Sequence, residues 1–345
     1  MKRITFVDLF AGIGGFHYAL AQAGAECVFA VEWDQDCRWT YEQNFRVLSP
    51  TLWTGDDGGS QNFASDITQV NPRQLPAHDV LCAGFPCQPF SISGSQRGFR
   101  DTRGTLFFNI MEIVKAKQPA VVFLENVKNL IYHDGGNTLR VIIAELEQAG
   151  YRVAWRVLNA KDFGLAQARE RIIIVGHREQ SFDFTQIQTV APQTIRQILD
   201  QHGDGEYLPA AEYTILARDL WKTQSSGLIF CGYRNKAIRK AGTRPHTEHL
   251  SRVHKQANRI YHADGTHPTV SAQETSGRFW IYDDEGVRKL TLREVYRLQG
   301  FPDTFVKNPR VTAAYRQIGN AVAIPMIAAV YAQIEAQFFN AAGEL

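Results

Sequence analysis

The sequence predicts an α/β fold, a mostly parallel sheet covered by helices on both faces, joined to a second, smaller and irregular domain. Three observations carry this. Short apolar runs alternate with helical stretches from residue 4 to residue 176, a glycine turn follows the first apolar run, and beyond about residue 180 the rhythm stops.

Residues 4–8 read as a short buried strand, 12–15 as the glycine turn, 16–23 as a helix and 27–32 as a second strand, which together open a βαβ unit. A helix near 36–44 precedes a strand at 80–83, a helix at 106–117 and a strand at 121–125. A helix at 138–149 follows, then strands near 153–158 and 172–176. From residue 181 to residue 284 Gln, Thr, His and Arg dominate and regular periodicity is hard to find. Residues 291–298 and 321–338 restore helical patterning, the second dense enough in apolar residues to pack back on the first domain. The expected division is residues 1–180 plus 312–345 for one domain and 181–311 for the other. Residues 48–64 and 84–104 are long loops for a compact domain, the first an insertion and the second a lid, with Gly94, Gly98 and Gly104 as pivots.

Composition narrows the function classes. With 345 residues, 44% hydrophobic and 21% charged, the chain can bury a large core. Its five cysteines form no C-x-x-C pair and no charged-then-apolar leader precedes the first strand, so a reducing cytoplasm is expected, without disulfides, metal or secretion. The apolar runs at 120–124 and 321–330 fall short of the roughly 20 residues of a membrane span, so no membrane role is expected. Net charge is only +2, but residues 217–260 carry ten Lys or Arg against Asp219 and Glu248, with Trp221, Tyr233 and histidines interleaved. That mixture suits a surface meeting phosphates and bases.

Four of the cysteines, Cys27, Cys37, Cys82 and Cys231, read as small buried hydrophobes. Cys87 does not. In Gly84-Phe-Pro-Cys-Gln-Pro-Phe-Ser91 it sits on an exposed bend stiffened by Pro86 and Pro89, where a thiol can be drawn into its reactive thiolate form. Asp8-Leu-Phe-Ala-Gly-Ile-Gly-Gly15 puts small residues at a strand-to-helix turn, and Glu32 ends the next strand, where an acidic side chain holds a ribose. An adenosine-containing cofactor follows. The third glycine of the nicotinamide fingerprint is missing, and a carboxylate at Asp8 repels a pyrophosphate but suits a sulfonium, so S-adenosylmethionine is the better match. Glu125, in Glu125-Asn-Val127, stands at the C-terminal edge of a buried strand, where desolvation favours a general acid. In Gln167-Ala-Arg-Glu-Arg171, alternation should send Arg169 and Arg171 to one side. Asn320, in Gln317-Ile-Gly-Asn-Ala-Val322, reads as the cap of the last helix.

Together with Glu32-Trp33, Arg293-Glu294 and Leu298-Gln-Gly-Phe-Pro302, and in this order, these motifs closely resemble those of bacterial DNA (cytosine-5)-methyltransferases of restriction-modification systems over nearly the whole chain. The resemblance implies a Rossmann-like S-adenosylmethionine-dependent fold whose second domain recognises a short duplex DNA sequence. It implies that Cys87 attacks C6 of a flipped cytosine, that Glu125 protonates N3, that Arg169 steadies O2 and that Arg171 supports them. It assigns Phe10 to the adenine, Glu32 to the ribose, and Trp33, Asp66 and Ile67 to the adenine region. Gly12 and Gly14 would lie near the methionine carboxylate, with Pro86, Leu106 and Asn320 completing the pocket. Gln88, Ser91, Ser93, Arg97 and Thr269 would face DNA. A monomer is expected, with a cognate restriction endonuclease as a functional rather than physical partner. A tRNA cytosine-5 methyltransferase, a catalytically silent DNA-binding regulator and a nicotinamide oxidoreductase are the competing readings.

Overall fold

The structure, a computed structural model, describes residues 3–53, 62–86, 106–200, 206–236, 246–272 and 279–340. The chain divides into two compact units. The first holds Met1–Leu158, Glu170–Gln188 and Ala321–Leu345, and the second holds Asn159–Arg169 and Thr189–Asn320. Residues 159–169 and 312–320 therefore belong with the second unit, whereas the sequence pattern assigned them to the first domain.

In the first unit the alternation is realised as strands β1 (Thr5–Leu9), β2 (Glu26–Val31), β3 (Phe63–Ala64), β4 (Val80–Gly84) and β5 (Val121–Val127), with helices α1 (Gly15–Gln22), α2 (Gln35–Phe45), α3 (Leu106–Lys117) and α4 (Asn137–Gln148) between them. Two later strands of this unit, β6 (Arg152–Asn159) and β8 (Glu170–His177), follow α4 without a further α-helix, and the short β7 (Gln167–Ala168) between them belongs to the second unit. The sheet runs β3-β2-β1-β4-β5-β8-β6, parallel from β3 through β5 and antiparallel at β5/β8. Along β1 the side chains alternate: Val7 and Leu9 join the buried cluster that includes Ile110, Met111 and Ile142 from α3 and α4. Phe6, on the opposite face, sets its ring edge-on to His17 of α1, 5.7 Å between centroids. Burial of each such Leu or Phe contributes about 1.5–3 kcal/mol.

The second unit is built on much shorter elements. Helix α5 (Ile195–Ile198) is followed by β9 (Tyr213–Ile215), β10 (Lys222–Thr223), β11 (Ile229–Arg234), β12 (Arg259–His262), β13 (His267–Pro268), β14 (Trp280–Tyr282) and β15 (Val287–Lys289). A second sheet runs β10-β11-β12-β14-β15 with β9 paired to β11, over a small core of Cys231, Ile260 and Val287. Next comes α6 (Leu292–Arg297), whose capping box pairs Thr291 with Glu294. Glu294 is wholly buried and is satisfied by Arg288, Nη2 to Oε1 at 2.9 Å.

The C-terminal helical stretch differs from the expected single helix at 321–338. It begins three residues later, as α8 (Ile324–Ile334) continued by a π-helical turn over Glu335–Phe339, and a further helix that the sequence pattern did not show, α7 (Val311–Asn320), precedes it across a break at residues 321–323. Pro325 lies in the first turn of α8, where its missing N–H and fixed φ are tolerated. Residues 311–339 have the length and hydropathy of a membrane span, but the buried side of α8 (Met326, Ile327, Val330, Tyr331 and Ile334) is core that packs on α1.

Candidate active site

The carboxyl ends of parallel strands are where open α/β sheets collect ligands, and here β4 and β5 end side by side, Gly84 in register with Glu125. Glu125 is 7% exposed. Because β8 runs antiparallel to β5, with Val127 opposite Arg171, the Arg171 side chain reaches back to Glu125, Nε to Oε1 at 3.0 Å. Burial pushes the Arg171 guanidinium down and Glu125 pulls it back up. That this carboxyl is paired with a guanidinium is something the sequence could not reveal.

Beside it, the Asn126 amide donates to the Phe85 carbonyl at 2.9 Å, while its oxygen accepts from the Val127 N–H at 2.8 Å. One buried side chain thus fixes the backbone immediately before Pro86. Phe85 is itself buried and packs on Phe107 of α3. Sequence reasoning singled out Glu125 from the Glu-Asn-Val run and missed Asn126. Cys87, Gln88, Ser91, Ser93 and Arg97, with the rest of the expected lid, lie outside the described residues.

The turn after β1 holds three left-handed residues, Phe10 (φ 56°), Gly12 (φ 56°) and Gly14 (φ 86°). Gly14 is required twice over, since a Cβ there would also lie 2.2 Å from the Phe45 ring. A Cβ at Gly12 would meet nothing within 4 Å among the described residues. Glu32 accepts hydrogen bonds from the N–H groups of Gly12 and Asp34, and burial pushes its carboxyl up. Trp33 is 73% exposed. Asp66 caps the turn that begins at Ile67, accepting from the Thr68 N–H at 2.9 Å. Ile67 is buried and Leu106 is half-buried against the same core. Val322, absent from the sequence-derived set, packs so tightly on the start of α1 that a Cβ at Gly15 would come within 2.6 Å of it.

Three expectations are corrected. Asp8 does not face the turn: β1 extends to Leu9, which leaves Asp8 inside the strand on the α1 side. It is 0% exposed and neither oxygen completes a hydrogen bond. Burial holds its carboxyl well above the usual range, the backbone of His17 lowering it only in part and Glu32 adding to the rise. His17 offers it no positive charge, since burial pushes that ring down to about 3 while its nitrogens bond Tyr41 at 2.6 Å and Ser49 at 3.0 Å. Arg169 and Arg171 do not share a task, because Arg169 falls in the break between β7 and β8. Its guanidinium donates to the carbonyls of Val270 at 2.9 Å and Gly319 at 3.0 Å, within the second unit. Asn320 does not cap the last helix; it is the exposed final residue of α7, and Ala323 is the N-cap of α8.

Thr269, in the second unit, spends its hydroxyl on the Ala168 carbonyl at 2.7 Å, beside the β7/β13 pairing. Among the described residues no group of His, Cys, Asp or Glu could hold a metal ion.

Comparison with known proteins places this arrangement. The family model for C-5 cytosine-specific DNA methylases matches residues 4–336. The chain is 39% identical to the Type II methyltransferase M.HhaI of Haemophilus parahaemolyticus, over 95% of this chain and 93% of that one. It is 40% identical to the Type II methyltransferase M.NgoBI of Neisseria gonorrhoeae, over 94% and 90%. Among solved structures, Dnmt2 methyltransferase of S. pombe covers 98% of this chain and 100% of its own at TM-score 0.65, and a putative DNA modification methyltransferase from an E. coli prophage covers 98% and 99% at 0.65. At 19% and 20% identity these two bear on the fold alone.

Proposed function

The chain belongs to the C-5 cytosine-specific DNA methylase family and is a DNA cytosine-5 methyltransferase, and from that premise we propose that it draws its methyl group from S-adenosylmethionine and works through a covalent Cys87 adduct. The observation that carries the site is the buried Glu125–Arg171 pair beside a backbone gripped by Asn126, one residue before Pro86-Cys87.

C5 of cytosine is a poor nucleophile. Attack of the Cys87 thiolate on C6 forms an S–C6 bond and pushes electrons through the ring to C5, turning it into an enamine carbon. Glu125 hydrogen-bonds N3 and the exocyclic amine and delivers a proton as charge builds on N3. The O2 contact is reassigned from Arg169 to Arg171, because Arg171 is the guanidinium that stands beside Glu125 while Arg169 is committed to two carbonyls. Loss of the C5 proton and expulsion of Cys87 restore the ring. The target cytosine is swung out of the duplex, a step costing a few kcal/mol.

The turn residues fit an adenosine cofactor: Gly12 leaves space among the described residues, Glu32 keeps a lone pair on each oxygen beyond its two backbone bonds, and Trp33 is exposed for stacking. S-adenosylmethionine supplies, when bound, the sulfonium methyl that C5 accepts. We assign Phe10, Asp66, Ile67 and Leu106 to the same set and leave out Asp8, which is enclosed in the core. We assign DNA recognition to the second unit, and protection against a separate cognate endonuclease to the enzyme's product.

The test is to incubate the protein with S-adenosylmethionine and mixed-sequence duplex DNA and to map 5-methylcytosine at base resolution. One short methylated motif is expected. A duplex carrying 5-fluorocytosine in that motif should trap an adduct with the wild type and none with Cys87→Ala. Transfer to tRNA but not to DNA would overturn the assignment.

A further inference from the structure

Glu32 stands in the proposed cofactor set for its place beside a ribose, yet its hydrogen bonds run into the backbone. Oε2 accepts from the Gly12 N–H at 2.8 Å and Oε1 from the Asp34 N–H at 2.7 Å. The first donor lies in the turn after β1. The second leads into α2, whose first amides Asp34 itself caps through Asp36 N–H and Cys37 N–H. A single carboxylate therefore ties together the two backbone segments that leave neighbouring parallel strands.

What it grips is strained. Phe10, at φ 56°, occupies the left-handed region that a residue with a Cβ seldom takes, and such a conformation persists only where its surroundings over-determine it. The Ala11 N–H to Val31 carbonyl bond at 3.0 Å and the Gly14 N–H to Ala11 carbonyl bond at 2.8 Å hold either side of the turn. Between them the Gly12 amide is fixed by Glu32.

We propose that Glu32 is a positioning residue as well as a ligand contact: it clasps the glycine turn to the start of α2 before any ligand arrives, and so presets the Phe10 ring and the Gly12 amide. This rests on reading the turn as the cofactor site. The carboxylate must be ionised to accept both N–H groups while leaving a lone pair on each oxygen for a diol. The charged groups facing it are Asp8 from β1 and Asp34 and Arg38 from α2. Arg38 reinforces the same corner, donating to the carbonyls of Glu32 at 3.0 Å and Trp33 at 2.6 Å.

The experiment is amide hydrogen exchange on the cofactor-free protein, comparing wild type with Glu32→Gln and Glu32→Ala, with the central amides of β1 as the control for global folding. A bond to a charged acceptor is strong enough that its loss should speed exchange at least about tenfold. Glu32→Ala should release both Gly12 and Asp34. Glu32→Gln, which keeps one oxygen, should release one of them without disturbing β1. In the same variants KM for S-adenosylmethionine should rise with kcat nearly unchanged. Unaltered exchange at Gly12 and Asp34 overturns the clasp, whatever happens to KM. Faster exchange with unaltered affinity for S-adenosylmethionine upholds the clasp and overturns the cofactor reading instead.

Discussion

Replacing Asp8 by asparagine should make the protein more stable at neutral pH, and the size of the gain should depend on pH. The side chain is 0% exposed, without a hydrogen bond to either oxygen, and burial raises its carboxyl well above the usual range. The folded state therefore holds this proton more tightly than the unfolded chain, where an aspartate titrates near 3.9. A group raised in this way contributes its full stability below the unfolded value and loses it as pH rises towards the folded value. Across that window the wild type loses about 1.4 kcal/mol per pH unit that asparagine does not lose. Below pH 4 the neutral acid and the amide leave comparable polar groups unsatisfied, at about 1–3 kcal/mol each, so the two proteins should be nearly equal there. Urea unfolding of both at successive pH values from 4 upward measures the divergence. Parallel stability curves would refute the argument, because they would mean that Asp8 is solvated or paired. A correctly folded Asp8→Asn protein that no longer bound S-adenosylmethionine would refute the placement of this carboxyl away from the ligand.

Arg171→Ala should remove the ion pair to the buried Glu125 carboxyl, destabilising the first unit by about 1.5–3 kcal/mol and lowering the methylation rate by two orders of magnitude or more, whereas Arg169→Ala should act mainly on the second unit; differential scanning calorimetry with single-turnover rates separates them. Asn126→Ala removes the amide that holds the Phe85 carbonyl, so kcat should fall by at least about tenfold with KM for S-adenosylmethionine unchanged in steady-state kinetics. Gly319→Ala would place a Cβ 2.3 Å from the Ser271 carbonyl oxygen, which should cost about 1–3 kcal/mol in denaturant unfolding. Because burial raises the Glu32 carboxyl, acidification should weaken S-adenosylmethionine binding, in calorimetric titrations, at a higher pH than an exposed glutamate would give, and Glu32→Gln should abolish that dependence.

The first half of the fold was legible because each element there buries a face of regular period. For α3 the predicted and observed ends coincide at Leu106 and Lys117, since Phe107, Ile110, Met111 and Val114 repeat with the helical spacing. The second unit was not, because strands such as Lys222–Thr223 and Val287–Lys289 are too short to show an alternation. The start of α8 at Ile324 rather than at residue 321 was announced by Pro325, but the apolar density of residues 321–330 concealed it. At the site, motif spacing found Glu125 and Arg171 but could not show that antiparallel pairing of β5 with β8 joins residues 46 positions apart (171 less 125). Asp8 was misplaced for a smaller reason, a strand that starts and ends one residue later than expected, which moved its carboxyl from the turn into the core.

The packing of α8 on α1 has a consequence for how the enzyme comes into being. The helix α1 that carries His17 lies at residues 15–22, and α8, which packs on it, lies at residues 324–334. During synthesis the buried side of α1 therefore stays open until residue 334 has left the ribosome, and such long-range closure is slow and leaves apolar surface exposed meanwhile. Chains cut short before Ile324 would carry every proposed catalytic residue and still lack the helix that closes their core, so unfinished copies would be silent and short-lived rather than partly active.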